Sequence, residues 1–115
     1  MKKDAGNHPL QTNLYSPGNI HIFEIDDQHL TEGSMRQDDF SIFFAPCKGV
    51  TFFLYHVLTL SPTLMDVIQN IKPERCGDIM IGTIGRGQSC HYLLDYQVKP
   101  NELLGSVFFL GGGQP

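Results

Sequence analysis

The sequence has little positive charge. Its 115 residues contain eight Lys and Arg against twelve Asp and Glu, which gives a formal net charge of −4. The basic residues are dispersed along the chain, whereas nucleic-acid-binding domains usually cluster them on one face. We therefore expect no nucleic-acid partner.

Long apolar segments and targeting signals are also lacking. The longest apolar run, VTFFLYHVLTL at 50–60, is shorter than the roughly 20 residues that a membrane-spanning helix needs. The opening MKKDAGNHPL has no apolar stretch after its lysines, as a signal peptide would, and no Asn-x-Ser/Thr acceptor occurs. We expect no membrane partner and a location in the cytoplasm, the nucleus or both.

Cysteine is scarce and odd in number. Cys47, Cys76 and Cys90 cannot all pair within one chain, which favours free thiols in a reducing compartment. The C-x₂-C spacing of zinc sites is missing, so Cys76, Cys90 and His91 make a weak zinc candidate. Cys90 and His91 are adjacent, so on a strand they point to opposite faces and form a poor nucleophile and base. We expect no enzyme, no metal and no cofactor.

Two other motifs point to ordinary structure. The glycine-rich GTIGRGQS at 82–89 lacks the lysine of a phosphate-binding loop and is interpreted as a tight turn between strands. The carboxylate pairs Asp26–Asp27 and Asp38–Asp39 stand in polar segments and are interpreted as solvated surface groups.

The hydrophobic pattern predicts a hairpin, a helix and two further strands. Apolar runs at 40–44 and 50–58 flank a turn in which Gly49 tolerates a positive φ. Ser61 and Pro62 suit the cap and first position of a helix. Its apolar stripe is Leu64, Val67, Ile68 and Ile71. Strands are predicted at 78–84 and 104–110, with a short one at 19–25. This order indicates a mixed sheet with one packed helix, an α+β domain.

The same order of elements resembles ubiquitin. The segment LLDYQVKPNELLGSVFFLGGG at 93–113 is similar without gaps to the end of ubiquitin, and TLMDVIQNI at 63–71 is similar to its helix. The resemblance implies a divergent ubiquitin-like β-grasp domain at 39–110, after a flexible extension at 1–38 and before a glycine-rich tail at 111–115. One departure is that Phe109, Leu110 and Gly111 stand where ubiquitin has arginines flanking a leucine.

The resemblance implies a protein modifier. Gly113 would be conjugated to target proteins through its carboxylate, with Gly112 beside it, after a processing protease removes Gln114 and Pro115. Side-chain-free glycines suit passage through a narrow enzyme channel. The expected partners are that protease, activating and conjugating enzymes and the targets, and the modifier itself is expected to be a monomer.

The alternative is a ubiquitin-like interaction domain that does not conjugate and binds partners through an apolar sheet face. By its register with ubiquitin, the resemblance gives this patch Ile81 and Val107, with Pro46 or Cys47 at the hairpin turn. Because neighbouring residues of a strand face opposite ways, one of Phe108 and Phe109 would face outward, and Phe109 is added to the patch. The two hypotheses differ in one requirement, because only the modifier needs a free Gly113.

Overall fold

The computed structural model describes residues 10–31, 38–47, 49–81 and 85–109. These residues form eight strands and one helix. In chain order they are β1 Leu10–Tyr15, β2 Ile20–Leu30, β3 Asp38–Cys47, β4 Val50–Val57, β5 Thr59–Leu60, α1 Pro62–Gln69, β6 Arg75–Ile81, β7 Gly85–Val98 and β8 Leu103–Phe109.

The strands form two sheets around one core. One sheet has the order β1-β8-β5 and the other β4-β3-β2-β7-β6. Every pair described in them is antiparallel. β1 pairs with β8 in the smaller sheet and β2 with β7 in the larger one, so the chain passes between the sheets after β1 and again after β7. The result is a two-layer β-sandwich.

β2 is the central strand of the larger sheet and supplies the middle of the core. Ile20, Ile22 and Ile25 are fully buried. Ile22 and Ile25 are three residues apart, yet both face inward, because a β-bulge at Phe23–Glu24 shifts the register with both neighbouring strands. The other core residues are Phe40, Ile42, Phe44, Val57, Leu60, Leu64, Ile68, Val98 and Leu104.

The expected α+β β-grasp fold is therefore wrong. The described chain is mostly strand in two antiparallel sheets, and its one helix has eight residues. α1 follows the two-residue β5 and inserts Leu64 and Ile68 into the core. The error arose largely at β7, which runs unbroken for 14 residues through the segment GRGQS that was predicted as a turn. Position 87 in this strand requires a glycine, because the β-carbon of any other residue would lie only 2.6 Å from the carbonyl oxygen of His29.

Much of the expected flexible extension is part of the sandwich. Residues 10–15 and 20–30 form β1 and β2, although the sequence analysis assigned residues 1–38 to a segment outside the domain. The sequence predicted only a short strand at 19–25 here, because the second half of β2 is charged, yet Asp27 and His29 are buried. Residues 1–9 and the tail 111–115 lie outside the described residues.

Several local predictions are confirmed. β3 and β4 form the expected hairpin, and Gly49 in its turn has a φ of 85°. The hydroxyl oxygen of Ser61 accepts a hydrogen bond from the Leu64 N–H at 3.2 Å, and Pro62 opens the helix. Among the described residues, no helix has the length and apolar composition needed to span a membrane.

The expectation of free thiols is wrong for two of the three cysteines. Cys76 and Cys90 are directly paired across β6 and β7 and form a disulfide 14 residues apart in sequence. A loop of this length corresponds to about 3 kcal/mol of stabilisation through the unfolded chain. The bond holds β6, an edge strand, to the rest of the larger sheet.

Gly105 of β8 allows β5 to approach closely. A β-carbon here would lie 2.0 Å from the carbonyl oxygen of Thr59, well inside van der Waals contact. We expect Gly105→Ala to lower the free energy of unfolding by about 2 kcal/mol, because a backbone has to shift to admit the methyl group. Urea denaturation measures the change.

Gly77→Ala in β6 is the matched control. Nothing lies within 4 Å of the β-carbon that this change would add, so stability should stay within about 0.5 kcal/mol of the wild type. Equal losses for both variants would contradict the close approach of β5 to β8.

Candidate functional site

β4 lies at one edge of the larger sheet and is almost entirely exposed. It pairs with β3 on one side, and no described strand pairs with its other side. Val57 is its one buried residue. Phe52 and Phe53 point to opposite faces of the strand and are each about half exposed, at 50% and 51%. A soluble domain rarely leaves large aromatic side chains on both faces of an edge strand.

The outer face of the larger sheet carries a row of touching aromatic rings, which we call the aromatic row: Phe23, Phe43, Phe53 and Tyr55. Phe43 lies directly opposite Phe53 in the β3–β4 ladder. Successive ring centroids along the row are 6.4, 6.0 and 4.6 Å apart. The row runs outward from β2 to the edge, where Tyr55 is 55% exposed.

The rings of the aromatic row are tilted against one another. The interplanar angles are 48°, 48° and 35°, within the range that aromatic pairs prefer. The resulting surface is ridged, so it suits side chains that interdigitate with it better than a single flat ring that stacks on it. This shape favours a protein surface as the partner.

Adjacent carboxylates on β2 point to opposite faces of the sheet, because side chains alternate along a strand. Asp26 belongs to an outer cluster with Glu24 and His91. Asp27 belongs to an inner cluster. The members of the inner cluster are Asp27, His29 and Asp38. The interpretation of these aspartates as solvated surface groups does not hold for Asp27, which is only 8% exposed.

The outer cluster is held together by hydrogen bonding. His91 Nδ1 lies 2.8 Å from Asp26 Oδ1 and 3.4 Å from Glu24 Oε2. Burial first and Glu24 second raise the pKa of Asp26, and His91 opposes them, so that the pKa lies at about 6. None of the side-chain polar atoms of this cluster is among the buried atoms that lack a hydrogen bond in the described part of the chain.

The inner cluster is more deeply buried, and His29 Nδ1 makes no hydrogen bond to a described residue. His29 Nδ1 lies 3.5 Å from Asp27 Oδ1 and 3.9 Å from Asp38 Oδ1. His29 and Asp38 are directly paired across β2 and β3. Burial first and Asp38 second raise the pKa of Asp27, and His29 opposes them, so that the pKa lies at about 6. Proximity of two carboxylates disfavours the state in which both are charged.

The residues of the sequence-predicted patch are spread over the molecule. Ile81 ends β6 in the larger sheet, and Val107 lies in β8 of the smaller sheet, where it packs against the core. Pro46 is half-buried in β3 and lines a groove of 390 Å³ with His21 and Gln97.

The other predicted site residues are only partly described. The backbones of Cys47 and Phe109 pair with Val50 and Leu10, while their side chains lie outside the described residues. Gly112 and Gly113 also lie outside them. In the weak zinc candidate, the sulfurs of Cys76 and Cys90 are bonded to each other, so neither is a thiolate ligand.

Comparison of the chain with protein-family models, with curated proteins and with solved structures finds no match. Its function therefore has to be argued from its own residues.

The raised pKa of Asp26 predicts greater stability in mild acid. The folded carboxyl group keeps its proton up to about pH 6, whereas its ordinary pKa is 3.8. The folded state thus binds more protons than the unfolded state between these values, so stability rises as pH falls. From pH 7 to pH 5 the wild type should gain about 1 kcal/mol relative to Asp26→Asn.

Urea denaturation of both proteins at the two pH values, in metal-free buffer with the disulfide intact, measures this difference. The variant is its own control, because it removes the titrating group but keeps every other carboxylate. An identical pH response in the two proteins would show that Asp26 titrates normally.

Proposed function

We propose that this chain is a non-enzymatic protein-interaction domain that associates with a second copy of itself through β4. The observation that carries the proposal is the exposure of aromatic side chains on both faces of an uncharged edge strand. Phe52 and Phe53 represent the two faces, and Tyr55 extends the outer one.

The composition of β4 supports strand pairing. Its sequence VTFFLYHV contains no Asp, Glu, Lys, Arg or Pro, which are the residues that usually protect an edge from pairing. The free edge of a strand offers backbone N–H and C=O groups to a further strand. Antiparallel pairing of two β4 strands would join two five-stranded sheets, with the same patch on each copy.

A second copy is the partner that the chemistry favours. An isologous contact places aromatic side chains against aromatic side chains, and it leaves no charge unpaired because β4 carries none at neutral pH apart from any on His56. His56 already has a partner, since its Nδ1 lies 2.9 Å from Asp39 Oδ2. This dimer replaces the monomer that the sequence analysis expected.

The size of the contact indicates a moderate affinity. A half-exposed aromatic ring that becomes buried contributes roughly 2 kcal/mol, and two copies bring six such rings from Phe52, Phe53 and Tyr55. This gain has to exceed an association cost of roughly 4–15 kcal/mol. β4 pairs regularly with β3 only at residues 52–54, and the register shifts on either side of them. The regular part of the β4 edge that a second copy could pair with is therefore short. We therefore expect dissociation near the micromolar range.

Sedimentation velocity over a range of protein concentrations tests the proposal. The wild type should pass from monomer to dimer as its concentration increases. Phe53→Lys should remain a monomer, because a charge on the edge strand opposes pairing. The lysine replaces a side chain that is already half in solvent, so the fold should tolerate it.

Met80→Lys is the matched control. Met80 is 65% exposed on β6, at the opposite edge of the same sheet, so this change also removes an exposed apolar side chain and adds a charge. It should leave the dimer unchanged. A wild type that stays monomeric throughout, or a dimer lost equally in both variants, would overturn the proposal.

Conjugation through Gly113 remains a separate hypothesis. It depends on the glycine-rich end of the chain, and it no longer has the support of a β-grasp fold. Its test is intact mass after incubation in a eukaryotic lysate with ATP. A modifier should lose Gln114 and Pro115 and then form heavier adducts, which a Gly112→Ala, Gly113→Ala variant should not form. An unchanged mass would reject the hypothesis, and dimerisation through β4 does not depend on either result.

An oxidising compartment is part of the proposal. The cytoplasm or nucleus was expected from the lack of a recognisable targeting signal and from free thiols, but the Cys76–Cys90 bond supports an oxidising environment, where disulfides persist.

A further inference from the structure

The inner cluster combines donor types that metal ions use. It presents one imidazole nitrogen and two carboxylate oxygens, and one such atom from each residue lies within 4.8 Å of the others. Both groups bind divalent zinc and related ions in proteins. An ion with tetrahedral bonds of about 2.0–2.2 Å holds its ligands roughly 3.4 Å apart. The distances of 3.5 and 3.9 Å from His29 Nδ1 to the two carboxylates are close to this separation.

A second observation is the state of the His29 ring. Its side chain is only 10% exposed, and its Nδ1 is buried with no hydrogen-bond partner among the described residues. A buried polar atom without a partner is costly and requires an explanation. The nitrogen lies at ion-pair distance from both carboxylates, 3.5 and 3.9 Å, which is longer than an ordinary hydrogen bond and close to the separation of two ligands of one ion.

The outer cluster provides an internal comparison. It has the same types of residue, but His91 Nδ1 is 2.8 Å from Asp26 Oδ1, the distance of a direct hydrogen bond. To serve as two ligands of a tetrahedral ion, these atoms would have to move apart by roughly 0.6 Å. The two clusters therefore differ in geometry, although their compositions are alike.

We propose that Asp27, His29 and Asp38 bind one divalent transition-metal ion of the zinc class. The three residues lie on two directly paired strands, so the sheet fixes their backbones. Asp38 is 28% exposed at the side chain and gives the ion a path from solvent. The buried ring of Phe40 faces Asp27 across the ladder and shields the inner side. Three protein ligands leave a fourth position for water.

Isothermal titration of wild-type protein with Zn²⁺, after treatment with EDTA and dialysis, tests the proposal. We expect one ion per chain. Asp27→Asn and His29→Gln should each weaken binding by roughly tenfold or more. The matched controls Asp26→Asn and His91→Gln change the same residue types on the opposite face of the sheet, and they should leave the affinity unchanged. Circular dichroism verifies that each variant folds.

A second measurement needs no variant. Mn²⁺ added in small amounts to isotope-labelled wild-type protein should broaden the ring signals of His29 before those of His91, because a paramagnetic ion acts on nearby nuclei. Absence of binding up to roughly millimolar Zn²⁺, broadening of His91 first, or equal loss of affinity in the Asp26 and Asp27 variants would overturn the proposal.

Discussion

The bulge at Phe23–Glu24 is the constraint on which the rest of the structure depends. β2 pairs with β3 and β7 along nearly its whole length, so its orientation decides which residues of three strands face the core. A regular strand would continue the inward face of Ile20 and Ile22 through Glu24 and Asp26. The extra residue of the bulge reverses which of the following residues face inward. Ile25, Asp27 and His29 face inward as a result, and Glu24 and Asp26 face outward.

One irregularity therefore produces both polar clusters. The inner cluster continues the same face as the apolar core, and its carboxylates consequently lose hydration. The outer cluster lies on the other face of the same strand and forms with His91 of β7. The disulfide lies beside both, since Cys90 pairs with Asp27 on one side and with Cys76 on the other. It ties β6 to the part of the sheet where burial of charge is most costly.

The sequence predicted the elements whose signals are local. The hairpin at Gly49 and the helix start at Ser61 depend on residues a few positions apart, and both were identified. β2 and β7 depend on partners far away in the chain, such as Ile22 with Tyr96. When the register is unknown, the polar outward residues of these strands are typical of a linker, and Gly87 is typical of a turn. A resemblance based on element order placed the correct hairpin and helix in the wrong fold for the same reason.

The candidate sites were hidden by the same lack of register. Asp26 and Asp27 look like one solvated pair in the sequence, and only the pairing of β2 with β3 and β7 assigns them to different clusters. The aromatic row had a partial signal, because the apolar run at 52–55 fits no single buried face. An apolar run of this kind does not reveal that the strand lies at an edge of the sheet.

The inner cluster and the exposed aromatic rings of β4 are the two features of this sandwich that an isolated domain usually avoids. A domain is stable by only roughly 5–15 kcal/mol, so uncompensated burial of charge is a large fraction of its stability. The inner cluster places two carboxylates and an imidazole in a buried position, where burial raises the pKa of Asp27, and β4 exposes large aromatic rings to solvent. The proposed ion would contact the first feature and the proposed second strand the second. β3 pairs with both β2 and β4, so it connects the two proposed sites.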